Sequence, residues 1–260
     1  MRLPLFALID RWLAPAPRPA RVGWIGKNAY AHRGLHGAGV PENSPAAFAA
    51  AMERGLGIEC DIQRTAADEA IVFHDWELDR LTNHTGPVAV HCAETLRTIS
   101  LRENGEPILS LSAMLEQVDG RSPLLIEVKS KRDLPVASLC ASVARCLDGY
   151  SGAHGVMSFD PRVARWFARH APETIRGLVI TEEGASGWRG AVRRHISLWR
   201  ARPDFLAYDI RDLPSRFAAY QRQRGMPVAT WTVRSSEQRA LAQVHADAPI
   251  AEGDGIETLS

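Results

Sequence analysis

Five short stretches of this 260-residue chain carry side chains suited to acid–base and charge chemistry: Ala31-His32-Arg33-Gly34, Pro41-Glu42-Asn43-Ser44, Glu59-Cys60-Asp61, His74-Asp75 and Glu127-Val128-Lys129. Glu59, Asp61 and Glu127 would repel one another if brought together, and all three are costly to bury as anions. A hard divalent cation removes that conflict. An all-oxygen donor set selects Mg²⁺ or Ca²⁺, with Mn²⁺ as a further candidate, over zinc. An imidazole, with an unperturbed pKa of about 6.5, suits one of His32 and His74 to take a proton and the other to give one. Arg33 matches phosphate oxygens with its planar fork, and Lys129 adds a point charge. Metal, arginine and lysine together would stabilise the added negative charge of a phosphoryl transition state. The chemistry implied is hydrolysis of a phosphate ester.

The surrounding pattern says what must position these groups. Residues 28–33 read as a strand ended by Gly34. Ser44 is suited to cap a helix that opens on Pro45 and stops at Gly55. Residues 57–63 alternate, so Glu59, Asp61 and Gln63 share one side and Ile58, Cys60 and Ile62 the other. A strand at 70–74 follows too soon for a parallel crossover. It must turn back through residues 66–69, which places His74 roughly opposite Asp61. Helices are expected near 93–98 and over 111–118, and a buried strand over 124–129. From there strands at 155–159, 175–180, 205–210, 227–233 and 249–252 alternate with helices at 133–147, 161–170, 188–200, 213–224 and 236–244. Eight parallel strands alternating with helices predict a (β/α)₈ TIM barrel, with 70–74 as an extra antiparallel hairpin strand. The alternative, a doubly wound sheet, lacks a glycine-rich phosphate loop after its first strand.

Composition narrows the function classes. Lys plus Arg is 31 and Asp plus Glu is 30, so the net charge of +1 does not suit a nucleic-acid binder. Arg189, Arg193, Arg194, Arg200 and Arg202 read as a solvated helix face. Cys60, Cys92, Cys140 and Cys146 form no C-x-x-C pair and read as reduced, buried, structural thiols. His36, His84, His91, His154, His170, His195 and His245 read as surface or structural. Residues 1–27 form an extension: a short apolar helix, then a stiff linker with Pro15, Pro17 and Pro19. The apolar run is too short to span a membrane, and Asp10 and Arg11 interrupt it as a secretory segment. Packing across one end of a single domain, residues 28–260, is the reading taken, with peripheral membrane contact through residues 1–20 as the other. The expected location is cytoplasmic.

At His32-Arg33-Gly34, Pro41-Glu42-Asn43-Ser44, Phe48, Gly55, Glu59-x-Asp61, His74-Asp75, Leu78-x-Arg80-x-Thr82, Gly86, Glu127-x-Lys129 and Trp231-Thr232-Val233, the sequence resembles the glycerophosphodiester phosphodiesterase family. The resemblance implies a TIM barrel that hydrolyses glycerophosphodiesters to sn-glycerol 3-phosphate and an alcohol with one divalent metal. It implies His32 and His74 as the acid–base pair and Glu59, Asp61 and Glu127 as metal ligands. Arg33 would bind phosphate, Glu42 and Lys129 would line the site, and Trp231 would wall the glycerol pocket. The segment between His74 and Glu127 has the length of a compact bacterial-type member. Three places depart from the family pattern: the turn Thr65-Ala66-Ala67-Asp68-Glu69, Arg234 where Asn is common, and Ala251-Glu252-Gly253-Asp254 near the C-terminus. A lysophospholipase D activity on lipid substrates is the variant within the class. A barrel glycosidase with paired carboxylates would leave the histidines, Arg33 and Lys129 without roles. A silent binding module would be expected to lack one of the core positions, and none is missing.

Overall fold

Alternation of strand and helix produces the expected architecture: eight parallel strands closed into a barrel, with one antiparallel strand outside. The computed structural model describes residues 4–184 and 187–256. The first three residues of the expected extension and the last four of the expected domain lie outside the described residues. The chain divides into two compact units, one of residues 30–154, the other joining the chain up to Ala29 with the chain from Gly155 onward.

The N-terminal segment folds as α1 (Pro4–Leu13) and α2 (Pro19–Val22). The expected linker is thus partly helical. Pro19 occupies the first helical turn, where its missing N–H costs nothing.

In the 30–154 unit the elements are β1 (Tyr30–Ala31), α3 (Pro45–Glu53), β2 (Gly57–Arg64), β3 (Ala70–Val72), α4 (Ala93–Thr98), α5 (Leu111–Val118), β4 (Leu124–Val128) and α6 (Ala137–Leu147). Ser44 caps α3, its hydroxyl accepting the Ala47 N–H at 3.1 Å, and Pro45 sits in the first turn. Ala47, Phe48 and Ala51 are fully buried, which seats α3 closely. β2 is the central element. β4 pairs along one edge in parallel, Ile58↔Leu124 through Ile62↔Val128. The other edge is shared end to end: β1 pairs at Tyr30↔Gly57 and Ala31↔Ile58, and β3 at Ile62↔Val72 through Arg64↔Ala70.

That sharing explains two departures. The first strand is two residues long, not six, because Arg33 and Gly34 turn left-handed at φ 55° and 78° and carry the chain off the edge. A Cβ on Gly34 would stand 2.8 Å from the Ala47 side chain, so the tight exit requires glycine. The hairpin register also differs by one: the Phe73 N–H donates to the Asp61 carbonyl at 3.0 Å, so Phe73, not His74, stands opposite Asp61. Thr65 belongs to the turn, closing it with a bond from its N–H to the Glu69 carbonyl at 3.1 Å.

The second unit adds β5 (His154–Ser158), α7 (Pro161–His170), β6 (Ile175–Ile180), α8 (Gly187–Ala201), β7 (Phe205–Asp209), α9 (Arg216–Gln223), β8 (Val228–Val233), α10 (Ser236–His245) and β9 (Ala248–Ala251). Its strands pair in parallel in chain order from β5 to β9. Leu178, Leu206, Tyr208 and Val228 belong to its core. α6 begins four residues later than expected, since Pro135 disfavours helix at the residue before it. α9 begins at Arg216, where the Ser215 hydroxyl accepts the Ala218 N–H.

α1 packs on α8 by burying its acid. Asp10 is fully buried and accepts from His195 Nδ1 at 2.9 Å, Trp199 Nε1 at 2.7 Å and Gln221 Nε2 at 2.7 Å. Those donors hold the Asp10 carboxyl below its ordinary value, overcoming the opposing effect of burial. His195 is thus structural, as expected. On α8 the basic face is not wholly solvated, because Arg194 pairs with Glu182 at 3.0 Å. Cys60 and Cys140 are buried, Cys146 is half-buried, and Cys92 is exposed, against the expectation of burial for all four.

Candidate active site

β2 and β4 create the acidic centre. Period-two alternation puts Glu59 and Asp61 on one side of β2, and the register sets Asp61 beside Glu127. Glu59 and Asp61 lie inside the strand rather than at its tip, because β2 continues to Arg64 to pair with β3. All three carboxylates are buried, and an oxygen from each lies within 4.8 Å of the others.

The two imidazoles approach the same edge of β2 from opposite ends. His32 follows β1, with its Nε2 4.0 Å from Glu59 Oε2. His74 comes off β3, where Gln63 Nε2 donates to its carbonyl at 3.2 Å. The His74 Nδ1 is 2.6 Å from Asp75 Oδ1, which fixes that nitrogen as the protonated one and leaves Nε2 free to exchange protons.

Cations thread between these groups. Lys129 Nζ lies 2.8 Å from Asp61 Oδ1 and 2.9 Å from Glu127 Oε1. The Arg33 backbone N–H donates to Glu59 Oε2 at 3.0 Å, its Nη1 to Glu42 Oε1 at 2.7 Å, and its Nε lies 3.3 Å from Asp61 Oδ2. Arg33 holds a left-handed backbone, uncommon for a residue with a side chain, at the same residue whose N–H is bonded to Glu59.

The electrostatics are divided. Burial, then repulsion from Asp61 and Glu127, pushes the Glu59 carboxyl well above its ordinary range. Asp61 is equally buried, yet Lys129 and Arg33 overcome that effect and hold it well below its own. Lys129 is raised despite burial, by Glu127 and Asp61. Glu42 is lowered despite burial, by Arg80 and Arg33. With all five ionised, the carboxylates Glu42, Glu59, Asp61, Asp75 and Glu127 would face the three cations Arg33, Arg80 and Lys129 with two negative charges in excess. An all-oxygen cluster with that excess fits a divalent cation.

A family model supplies the decisive match. The model described as "Glycerophosphoryl diester phosphodiesterase family" matches residues 32–251, from His32 itself to the end of β9. The chain belongs to this family. Its activity class is that of a phosphoric diester hydrolase. Among relatives of the glycerophosphodiester phosphodiesterases, the Bacillus subtilis protein YhdW, named for that activity, is 37% identical over 222 residues, covering 82% of this chain and 88% of its own. An Oleispira antarctica phosphodiesterase, solved in complex with the product sn-glycerol-3-phosphate, shares the fold at a TM-score of 0.76 and 19% identity, covering 89% of this chain and 94% of its own. The Thermotoga maritima glycerophosphodiester phosphodiesterase matches at 0.69 and 22% identity, covering 86% and 93%.

Of the nine site residues expected, His32, Arg33, Glu42, Glu59, Asp61, His74, Glu127 and Lys129 all belong to the 30–154 unit of this phosphodiesterase. Trp231 belongs to the other unit, on β8, where its Nε1 donates to the Ala207 carbonyl at 3.0 Å and its ring meets Phe159 edge-on at 5.4 Å. Two departures from the family pattern pair with each other, Arg234 Nε donating to Glu252 Oε1 at 2.6 Å.

Three residues given no role from sequence are integral to the geometry. Asn43 donates through Nδ2 to Asp61 Oδ2 at 2.9 Å and accepts the Asp61 N–H at 3.3 Å. Asp75 holds His74. Arg80 clamps two acids at once, Asp75 through Nε at 2.6 Å and Nη2 at 3.0 Å, and Glu42 through Nη1 at 2.8 Å and Nη2 at 2.7 Å. The visible signal was the adjacency of Asn43 to Glu42 and of Asp75 to His74. Arg80 lies in a loop with no periodicity to mark its direction.

Proposed function

We propose that this chain hydrolyses glycerophosphodiesters to sn-glycerol 3-phosphate and an alcohol, with Glu59, Asp61 and Glu127 holding one divalent cation and His32 and His74 exchanging protons. The observation that carries the reading is the buried carboxylate trio, with excess negative charge, flanked by two imidazoles on one edge of β2. The cation, Mg²⁺ or Ca²⁺ with Mn²⁺ a third candidate, would supply positive charge to the phosphoryl oxygens. Arg33 binds the phosphate beside it through its guanidinium. Lys129 holds Asp61 and Glu127 in place through its ammonium group. One imidazole takes a proton from the attacking water or hydroxyl, and the other gives a proton to the departing alkoxide as its bond to phosphorus breaks. Whichever of the two steps it serves, His74 exchanges its proton at Nε2, since Asp75 occupies Nδ1. Arg80 positions Asp75 and Glu42 without touching the substrate. Trp231 binds the glycerol end, so Trp231→Ala should raise KM more than it lowers kcat.

The direct test is release of sn-glycerol 3-phosphate from glycerophosphocholine with Mg²⁺, Ca²⁺, Mn²⁺ or EDTA. Turnover that persists at the full rate in EDTA, or in His32→Ala, would remove the assignment. A second reading, lysophospholipase D activity, draws on the exposed Leu8 and Trp12 of α1. Deleting residues 1–20 would remove Asp10 from the core, so Trp12→Glu is the better variant. If the reading holds, it lowers lysolipid hydrolysis and spares the soluble diester.

A further inference from the structure

α1 is amphipathic in the wrong sense for a helix that only packs on its own barrel. At ~100° per residue, positions 6 and 10 share one side and positions 8 and 12 the opposite one. Phe6 stacks on His195 at 4.3 Å, and Asp10 is bonded to His195, Trp199 and Gln221, so the acid faces inward. Leu8 is 66% exposed and Trp12 81%. Folding alone gains nothing from presenting those two side chains to water.

Within the two segments themselves, the exposed charge has one sign. From Pro4 to Ala29 and along α8, Asp10 is the only carboxylate, and it is buried. Arg11 beside Trp12, and Arg189, Arg193 and Arg200 on the neighbouring α8, are exposed. α8 also exposes Trp188 at 73% and Ile196 at 36%. The chain as a whole is nearly neutral at +1, so this arginine-rich, acid-free face is a local property. No helix among the described residues is long and apolar enough to cross a membrane. Apolar and indole side chains set among arginines, with no exposed acid on either helix, match the interface of an anionic bilayer: rings enter the headgroup layer and guanidinium groups meet lipid phosphates.

We propose that the outer face of α1, with the adjoining exposed ridge of α8, docks this enzyme onto anionic phospholipid membranes. Trp12 and Leu8 are the inserting residues, and Arg11, Arg189, Arg193 and Arg200 supply the attraction.

The test is co-sedimentation of the full chain with vesicles of phosphatidylcholine plus phosphatidylglycerol, against phosphatidylcholine alone. Wild-type protein should sediment with the anionic vesicles and be released as salt rises. Trp12→Glu should weaken partitioning by at least about tenfold, because it removes buried apolar area and adds a repelled charge. Arg193→Ala should weaken it about fivefold, the effect of one basic residue near a charged surface. Thermal melts of each variant report folding, and Leu8→Glu serves in place of any that melts early. The proposal is overturned if wild-type protein stays in solution with anionic vesicles at low salt. It is equally overturned if Trp12→Glu binds as wild type does. Light scattering that shows a dimer which Trp12→Glu dissociates would assign the face to a second copy and overturn it as well.

Discussion

Each unit of the molecule buries a carboxylate close to an imidazole, and the two are solved in opposite ways. In the unit that contains α1, Asp10 meets only donors: an imidazole, an indole and an amide. In the 30–154 unit, Glu59 meets other acids, with His32 at 4.0 Å and a single backbone donor from Arg33. The Asp10 carboxyl moves down and the Glu59 carboxyl moves up, although both are buried. Burial alone therefore does not mark a working site. What marks it is conflict left unresolved by the protein's own groups, which a substrate or cation can resolve.

The sharpest way to break the comparison is to remove the groups on each side. His32→Ala and His74→Ala should each lower kcat by about 10²–10⁴-fold while leaving the melting temperature nearly unchanged. EDTA should abolish turnover, with recovery on adding back a divalent cation. Steady-state assays of sn-glycerol 3-phosphate release check both. Asp10→Ala should do the reverse. It strands the Trp199 N–H, the Gln221 amide and the His195 ring nitrogen without their acceptor. The expected cost is about 3–5 kcal/mol by urea unfolding, with kcat unchanged where the protein remains folded. If Asp10→Ala lost activity while fully folded, the division between structural and working carboxylates would fail.

Titration sharpens the same contrast, because the two signs differ. Asp10 has a folded value below its ordinary 3.8. Its stabilisation is complete above that value and is lost as pH falls through the depressed folded one. Asp10→Asn should flatten that acid limb. Glu59 has a folded value above its ordinary 4.5. As pH rises past 4.5 the unfolded carboxyl ionises first, so Glu59 makes the cation-free protein less stable with rising pH. A cation that needs the ionised form should then release a proton on binding and bind more tightly as pH rises. Calorimetry in buffers of different ionisation enthalpy measures that proton. Its absence would mean Glu59 is already ionised.

Much of this was legible in the sequence because it follows period and punctuation. Alternation placed Glu59 and Asp61 on one side, Ser44-Pro45 fixed the start of α3, and Gly34 marked the turn that follows β1. The His74 register was misplaced because Thr65 joins the turn through a bond to Glu69, which alternation does not reveal. Asp10 read as a charge interrupting an apolar run. Its partners lie in α8 and α9, far along the chain, and only folding brings them together. Asp75 and Arg80 were opaque for a related reason: loop residues have no face until the chain is closed around them.

Arg80 gives the smallest effect and the finest test. It binds both the acid that orients His74 and the acid that holds Arg33, so it links the groups proposed to move protons and to bind phosphate. Its side chain is 47% exposed, so losing it should cost little stability. Both Asp75 and Glu42 are held below their ordinary range, each partly by Arg80. Without it, Asp75 is freer to turn away from His74 Nδ1, and Arg80→Ala should lower kcat about tenfold. Arg80→Lys, which keeps the charge but cannot grip two carboxylates in the same fork geometry, should recover only part of the rate. Full recovery by lysine would show that charge alone matters at this position. An unchanged rate in Arg80→Ala would show that Asp75 holds His74 unaided.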